Sequence, residues 1–479
     1  MTKLLSWYSY RLPIYLVYML QQVEYNAKSF LVWILRLHRS SRLVSTVMYR
    51  KKLEYTIKAQ LLVASTYILI AASFLIILIV GALFGFTVKT CGLALLVVVF
   101  TPVTAVAYLS IVSFCAWLFV VNPSQRRQVA GSTQIFREFK GITIGIAGSY
   151  GKTTMKEILT TVLSQRFDVA VTPGNMNTPV AHARFAGTLE NQDVAIIEYG
   201  EGAPGDIERF ARTTQPDYAV ITGVAPNHLD RYKTLTTLTS DLLSLRSSVE
   251  PSKLYINGDS LILKEQAHSD EGLYSADTVA EWNISQISVS TSGTSFVMKN
   301  KSKRINVESG LLGRHQVAPL ALAVVLGIRL GLSINQVELG TRKVVPIEHR
   351  MSTYMLSGAL IIDDTYNGNL EGITVGLNLL KTVSAKRKLY VTPGLVEQGE
   401  ETERVHIEIA KLINNVKPDI LVLINNSATR IIDTELTRLD YDGQIMKIDE
   451  PLQFYTNIGH IVARGDVVLL QNDWTDNYN

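Results

Sequence analysis

The 479-residue sequence predicts an α/β protein that carries an apolar helical hairpin near its N-terminus. Hydrophobic residues make up 47% of the chain and charged residues only 18%, so some segments must be free of charge. Beyond residue 122, short β-branched runs alternate with amphipathic stretches, which is typical of α/β domains. At about 150 residues per domain, the length fits roughly three structural units.

Two uncharged segments predict the hairpin. Leu61–Phe86 and Thr90–Val121 contain no Asp, Glu, Lys, Arg or His, and each exceeds the roughly 20 residues that a membrane-spanning helix needs. A core helix of a soluble protein is seldom this long, and a cleaved signal peptide would begin near Met1. We therefore expect a transmembrane helical hairpin at 61–121, with Val88 and Lys89 in the connection between antiparallel spans.

Charge predicts the orientation of this hairpin. Residues 1–60 hold ten Lys and Arg against two Glu, and Arg126 and Arg127 follow the second span. The positive-inside rule places both flanks in the cytoplasm. A basic segment beside a span indicates attraction to anionic membrane lipid, and the acidic balance of the remaining chain argues against a nucleic-acid partner.

The stretch Leu12–Leu37 mixes Trp33, tyrosines and aliphatic residues with few charges. It predicts that 1–60 is a basic amphipathic segment lying at the membrane interface. A helix packed on the protein's own spans is the alternative. The two cysteines, Cys91 and Cys115, lie in the second predicted span and form no evident metal or redox pair.

Apolar runs predict two successive sheets. The first set of buried parallel strands is Ile142–Ala147, Val194–Ile197, Tyr218–Thr222 and Leu254–Ile256, and Ser285–Val307 alternates like an antiparallel hairpin. The second set is Ala359–Ile362, Leu389–Thr392, Ile420–Ile424, Gln444–Ile448 and Asp466–Leu470. A boundary near Val345–Arg350 separates a central domain at 122–345 from a C-terminal domain at 346–479.

The segment Gly145–Thr154 carries the strongest chemical signal. It follows a predicted strand and precedes a helix, so its backbone N–H groups and the positive helix end would face a phosphate. Lys152 would reach the β- and γ-phosphates of ATP, and the Thr153 hydroxyl would bind Mg²⁺. Ile146 replaces the first glycine of the usual pattern. The predicted ATP-binding residues of this loop are Gly148, Ser149, Tyr150, Gly151, Lys152, Thr153 and Thr154.

Two further candidates lie at predicted strand ends, where open α/β sheets bind their ligands. Glu198 ends one strand and His228 follows the next. An isolated Glu or His in such a place is often a solvated loop residue. Beside a phosphate-binding loop, both are candidate Mg²⁺ ligands and catalytic residues.

These motifs resemble those of the Mur ligases, from about Gly141 to the C-terminus, and lie closest to the members that add D-alanyl-D-alanine. Thr172-Pro-Gly-Asn-Met-Asn177 resembles a substrate-facing loop, which implies substrate roles for Asn175, Asn177 and Thr178. Glu198-Tyr-Gly and Asn227-His-Leu resemble metal-binding segments. Asp363-Asp-Thr-Tyr-Asn-Gly-Asn369 resembles a nucleotide-contacting turn of a Rossmann-like C-terminal domain, which implies that Asp364, Asn367 and Arg350 contact ATP.

The resemblance implies an ATP- and Mg²⁺-dependent ligase of peptidoglycan precursor synthesis in the bacterial cytoplasmic membrane, with its catalytic domains on the cytoplasmic side. It would join the amine of an amino acid or dipeptide to a precursor carboxylate through an acyl phosphate. Two alternatives remain open. One is a ligase for another membrane-linked carboxylate, such as a lipid-linked precursor or a poly-amino-acid. The other is a catalytically weak nucleotide-binding scaffold for other cell-wall enzymes.

Three departures from the family pattern matter. Family members carry a carbamylated lysine after the metal-binding histidine, but Thr236–Arg246 contains no lysine, and Asp241 is its only carboxylate. Asp241 is therefore the predicted catalytic replacement, and a solvated helical aspartate is the alternative. Pro319 stands where an asparagine near the adenine is expected. The hairpin takes the place of the family's N-terminal UDP-sugar-binding domain.

Overall fold

The computed structural model describes residues 6–39, 53–85, 87–174, 176–225, 229–366, 368–395, 398 and 401–472. The chain divides into two compact units, one up to residue 126 and the other from 127 to 474. Each unit has its own core.

The first unit is helical. Its elements are α1 (Leu12–Gln22), α2 (Ala27–Arg39), α3 (Ile57–Phe84), α4 (Val88–Ala116) and a π-helical turn (Trp117–Val121). Helix α5 (Asn122–Glu138) begins in this unit and continues into the second. Side chains cap the starts of α3 and α4. The bounds of α3 and α4 differ by several residues from the uncharged segments Leu61–Phe86 and Thr90–Val121. Helix α3 begins after Thr56, which caps it, and Gly85 with φ +76° ends it. Thr87 caps α4, so Val88 and Lys89 lie in that helix and not in the connection.

Helix α1 packs inside the first unit. Leu16, Val17, Tyr18, Met19 and Leu20 are fully buried, in one cluster with residues of α3 and α4. The interfacial prediction is therefore wrong for α1, and the alternative of packing on the protein's own apolar helices is what the structure shows. Helix α2 differs, because it keeps apolar side chains such as Leu35 exposed.

Two helices of the described chain are long and apolar enough to cross a bilayer, Ile57–Phe84 and Val88–Glu138, judged by length and composition. Their side chains are mostly exposed: only 6% of the most apolar stretch of α3 is buried. Ile76 and Leu95, for example, are 60% and 65% exposed. Exposed apolar surface of this extent marks a region that contacts a membrane or another protein, and a core helix of a soluble protein would be mostly buried instead.

The second unit begins with a sheet of ten strands in the described residues. The parallel strands are β1 (Ile142–Ala147), β2 (Val169–Val171), β3 (Val194–Glu198), β4 (Tyr218–Ile221), β5 (Leu254–Asn257) and β6 (Gly272–Tyr274). The antiparallel strands are β7 (Thr278–Val279), β8 (Trp282–Ser290), β9 (Gly293–Asn300) and β10 (Lys303–Ser309). The predicted hairpin at Ser285–Val307 is therefore a three-stranded meander, because turns at both ends of β9 reverse the chain.

Strand β1 lies between β3 and β4, and the order is β10-β9-β8-β7-β6-β5-β4-β1-β3-β2. The carboxyl ends of β1, β3 and β4 therefore meet at one edge of the sheet, where α/β proteins bind ligands. The helices around this sheet are α6 (Lys152–Leu163), α7 (Pro179–Ala186), α8 (Asp206–Thr214), α9 (Leu229–Tyr232), α10 (Leu235–Leu243), α11 (Leu261–Gln266), α12 (Val317–Arg329) and α13 (Ile334–Arg342).

A second sheet follows, in the order β11-β12-β16-β13-β14-β15. Its strands are β11 (Ser352–Leu356), β12 (Ala359–Asp364), β13 (Lys388–Thr392), β14 (Ile420–Ile424), β15 (Gln444–Ile448) and β16 (Val467–Gln471). Its helices are α14 (Leu370–Thr382), α15 (Thr402–Val416), α16 (Ser427–Arg438) and α17 (Pro451–Ile461). Only β11 pairs antiparallel among these described strands. The predicted boundary near Val345–Arg350 falls in the segment between α13 and β11.

Candidate active site

The turn between β1 and α6 is held in a phosphate-binding shape by two glycines and one threonine. Gly148 and Gly151 have φ of +143° and +76°, which favour glycine. A Cβ atom at Gly148 would lie 2.2 Å from Thr222 Oγ1. The Thr222 hydroxyl bonds to the carbonyl oxygens of Ala147 and Tyr150, which fixes the turn against the end of β4. The N-terminus of α6 thus faces the ligand edge.

The missing first glycine of the motif does not alter this turn. Ile146 is a fully buried residue of β1, paired with Glu198 on one side and Val220 on the other. Next in the loop, the Ser149 N–H donates to the Gly223 carbonyl over 2.8 Å. The Tyr150 ring packs on Gly223, and burial raises the pKa of its hydroxyl to about 12.

Lys152 begins α6, and its ammonium group already has a carboxylate partner. Its Nζ lies 2.6 Å from Glu201 Oε2, and it also donates to the Gly148 carbonyl. Lys152 and Glu201 are only 9% and 5% exposed. Glu201 was not among the site residues predicted from the sequence. Its position three residues after Glu198, just past the same strand end, could have indicated that it belongs to the site.

Thr153 and Glu198 form the second contact of the site. The Thr153 hydroxyl donates to Glu198 Oε2 over 3.0 Å, and Glu198 is 2% exposed. Hydroxyl and carboxylate oxygens are ligands that Mg²⁺ prefers, and this pair fits that ion. No group of three or more His, Cys, Asp or Glu side chains within metal-binding reach occurs among the described residues. A cation here would therefore share its remaining positions with phosphate oxygens and water. The other predicted ligand, His228, lies outside the described residues.

Lys156 is a further charged group that sequence reasoning missed. It lies one turn beyond Lys152 on α6, is fully buried, and its Nζ is 3.3 Å from Glu198 Oε2. Lys156 also donates to the carbonyls of Thr172 (3.0 Å) and Gly174. The lysine therefore joins the Glu198 carboxylate to the predicted substrate loop. The spacing of four residues from Lys152 was the only signal in the sequence.

The three predicted substrate residues have different positions and contacts. Asn177 Nδ2 lies 3.5 Å from Glu198 Oε1, so this amide is beside the candidate metal ligand. The Thr178 side chain accepts a hydrogen bond from the Ala181 N–H and caps α7. Asn175 lies outside the described residues.

His182 supports the backbone of Glu198 and was not predicted. Its Nε2 lies 2.8 Å from the Glu198 carbonyl oxygen, and its ring centroid is 4.6 Å from that of Phe210. Burial lowers the pKa of His182 to about 4. The ring is therefore neutral at pH 7, with Nε2 as the donor to the carbonyl.

Arg350, in the segment just before the second sheet, reaches this edge. Arg350 Nη2 lies 3.4 Å from Thr153 Oγ1, and its guanidinium lies 4.3 Å from the Tyr366 ring centroid. Asp364 ends β12 and accepts a hydrogen bond from Gln471 over 2.9 Å. Burial raises the pKa of Asp364 to about 7, against the opposing effect of that hydrogen bond. Asn367, the third predicted nucleotide contact of this part, lies outside the described residues.

Asp241 lies on α10, which begins at Leu235 after a Thr234 cap. Its Oδ1 accepts from the Gly205 N–H over 2.9 Å and its Oδ2 from the Tyr232 hydroxyl over 2.7 Å. Both carboxylate oxygens therefore accept hydrogen bonds from the protein, and the bond from the Gly205 N–H fixes the start of α8. The predicted catalytic role of Asp241 stays a prediction, and this geometry gives the residue a structural task instead.

Comparison with known proteins shows which proteins this chain resembles. Residues 146–327 match the Mur ligase middle domain. The UDP-N-acetylmuramoyl-tripeptide--D-alanyl-D-alanine ligase of Bacillus subtilis (strain 168) is 24% identical over 332 residues, which cover 68% of this chain and 72% of that protein. The ligase of the same name from Escherichia coli (strain K12) is 25% identical, over 56% of this chain and 61% of its own length.

Solved structures share the fold. MurF ligase from Thermotoga maritima in complex with ADP has a TM-score of 0.64 and 21% identity, over 73% of this chain and 80% of that chain. A pseudomurein peptide ligase type C from Methanothermus fervidus has a TM-score of 0.55 and 17% identity, over 71% and 78%. Residues 146–327 of the chain therefore match a Mur ligase middle domain, and the chain shares the fold of these ligases. The two curated relatives described above are both D-alanyl-D-alanine-adding ligases.

The environment of His182 predicts a pH-dependent stability. Its pKa is lowered to about 4 in the folded protein, so the unfolded chain binds a proton more readily below pH 6.5. The free energy of unfolding should therefore fall by about 2 kcal/mol through this residue between pH 7.5 and 5. Denaturant unfolding of the detergent-solubilised wild type and of His182→Gln at both pH values measures this change in unfolding free energy. Glutamine is chosen because it can donate to the Glu198 carbonyl without titrating.

His460→Gln is the matched control, because His460 is an exposed histidine in the last turn of α17. The unfolding free energy of His182→Gln should fall less between the two pH values than those of the wild type and His460→Gln. Equal pH dependence in all three proteins would contradict the assignment of His182 as a buried neutral residue.

Proposed function

We propose that this chain is an ATP-dependent amide ligase of peptidoglycan precursor synthesis, which adds a D-alanyl-D-alanine-type amine to a muramoyl-peptide carboxylate. One observation carries the proposal. The phosphate-binding turn of a Mur ligase middle domain lies against a buried Thr153–Glu198 pair, with Arg350 from the segment before the second sheet beside it. This set combines groups that bind phosphates with groups suited to Mg²⁺.

The chemistry follows from the charges at this edge. Backbone N–H groups at the start of α6, Lys152 and Arg350 bind and orient the ATP phosphates. A carboxylate oxygen of the acceptor attacks the γ-phosphorus, the bond to ADP breaks, and an acyl phosphate forms. The amine nitrogen then attacks the acyl carbon, phosphate leaves, and the nitrogen loses a proton to solvent. Mg²⁺ held by Thr153 and Glu198 would neutralise phosphate charge.

The supporting residues keep this arrangement rigid. Lys156 compensates the Glu198 carboxylate, and His182 holds the backbone of the same residue. Arg350 and Asp364 bring the second sheet to the nucleotide, which limits the access of water to the acyl phosphate. These residues position the reacting groups and balance their charge, and they form no bond to the substrate during the reaction.

A second candidate differs only in the acceptor. The exposed apolar surface of α3 and α4 favours a membrane location, where a lipid-linked carboxylate would be concentrated. The same site would then add an amine to a membrane-linked precursor. The catalytic residues are the same for both acceptors, so the acceptor must be tested directly.

Phosphate release distinguishes these functions. With ATP and Mg²⁺, release should require both D-alanyl-D-alanine and a muramoyl-tripeptide, supplied as the soluble UDP-linked or as the lipid-linked form. Lys152→Ala should lower the rate by at least about a hundredfold, because it removes a phosphate-binding charge. Lys264→Ala, an exposed lysine, is the control.

The preferred acceptor is the form with the higher kcat/KM. Nucleotide binding without amine-dependent phosphate release would support a scaffold instead. A Lys152→Ala protein that turns over normally would contradict the proposed site.

We also propose that α3 and α4 cross the bacterial cytoplasmic membrane, with both flanks and the catalytic unit in the cytoplasm. The exposed apolar side chains of both helices and the basic residues on both flanks support this topology. The connection Gly85–Thr87 would then lie on the outer side.

Cysteine labelling tests the topology. In a Cys91→Ala, Cys115→Ala background, Lys89→Cys should react with a membrane-impermeant maleimide in cells whose cytoplasmic membrane is intact. Ser269→Cys, at an exposed position of the catalytic unit, should react only after that membrane is permeabilised. Labelling of Ser269→Cys in intact cells, or protection of Lys89→Cys, would contradict the proposed orientation.

A further inference from the structure

Glu201 is a buried carboxylate that contacts Lys152, the lysine expected to bind the nucleotide phosphates. Its Oε2 lies 2.6 Å from Lys152 Nζ, and the residue is 5% exposed. The segment after β3 carries it, only three residues beyond the candidate metal ligand Glu198. Glu201 therefore lies within the phosphate site itself.

The contact cannot persist unchanged when nucleotide binds. The ammonium group of Lys152 is the charge that the β- and γ-phosphates attract, so phosphate oxygens compete with Glu201 for it. If Lys152 turns to the phosphates, Glu201 is left as a buried carboxylate beside a polyanion. Leaving a buried charge without its partner is strongly unfavourable.

A bound cation would compensate the Glu201 carboxylate better than the protein's other groups, which already have partners. Lys156 already contacts Glu198 and two carbonyl oxygens, and Arg350 lies at Thr153. A carboxylate oxygen is a preferred ligand of Mg²⁺, the ion that accompanies ATP. Asp241, the carboxylate expected from the sequence, already accepts hydrogen bonds from Gly205 and Tyr232.

We propose that Glu201 exchanges partners on nucleotide binding: it pairs with Lys152 before ATP binds and becomes a Mg²⁺ ligand once the phosphates take Lys152. This inference rests on the proposed function, because it assumes that the site binds ATP with Mg²⁺. It makes Glu201 a metal-binding residue of the nucleotide complex.

Nucleotide binding with and without Mg²⁺ tests the exchange. A non-hydrolysable ATP analogue is titrated into the detergent-solubilised full chain, in EDTA and in Mg²⁺. Glu201→Gln should bind the analogue more tightly than the wild type in EDTA, because the competing carboxylate is gone. The factor by which Mg²⁺ strengthens binding should fall by about tenfold or more. Glu208→Gln is the matched control, since Glu208 pairs with Arg212 on α8.

Metal binding alone gives an independent measurement. Lys152→Met leaves Glu201 without its ammonium partner, so this variant should bind Mn²⁺ without nucleotide, as detected by electron paramagnetic resonance. The double variant Lys152→Met, Glu201→Gln should lose that binding. This arm keeps the proposal testable even if Glu201→Gln alone fails to fold.

The outcomes separate this inference from the proposed function. A wild-type protein that does not bind the analogue in Mg²⁺ would contradict the proposed function. Normal wild-type binding, with Glu201→Gln behaving like Glu208→Gln, would overturn only the role of Glu201. Absence of Mn²⁺ binding by Lys152→Met would overturn it as well.

Discussion

Two lysines on α6 neutralise two carboxylates at the end of β3, and the candidate site depends on this pairing. Lys152 contacts Glu201 over 2.6 Å and Lys156 contacts Glu198 over 3.3 Å, with all four residues buried. Removing one partner from a buried pair leaves an uncompensated charge, which costs several kcal/mol. The four charges therefore fix the start of α6 against the end of β3, where the phosphate-binding turn lies.

The rest of the site is arranged around these charges. Gly148 and Gly151 allow the turn that brings Lys152 to the edge of the sheet, and Thr222 holds that turn in place. His182 stays neutral and supports the Glu198 backbone without adding charge. Arg350 adds a cationic group from the segment before the second sheet. The net result is a pocket edge suited to a polyanion that carries its own metal ion.

Local sequence signals predicted part of this arrangement. Strands β1, β14 and β15 have the predicted bounds. Apolar runs mark β1 and β14, which are buried, whereas β15 is partly exposed and contains a glutamine and a lysine. The turn followed from its glycines. Lys156, His182 and Glu201 were missed because a buried polar residue resembles a surface residue until its partners, which come from other elements, are known. The starts of α3 and α4 differ from prediction because the N-caps at Thr56 and Thr87, and not hydropathy, set them.

The central claim is that this site activates a carboxylate by phosphorylating it. The most direct test uses an acceptor whose two carboxylate oxygens are both ¹⁸O, with ATP, Mg²⁺ and the amine, and detects the isotope in released phosphate by ³¹P NMR. One ¹⁸O atom should pass to phosphate in each turnover, because the acyl phosphate breaks at its carbon–oxygen bond. Phosphate released without ¹⁸O during amide formation would contradict the account.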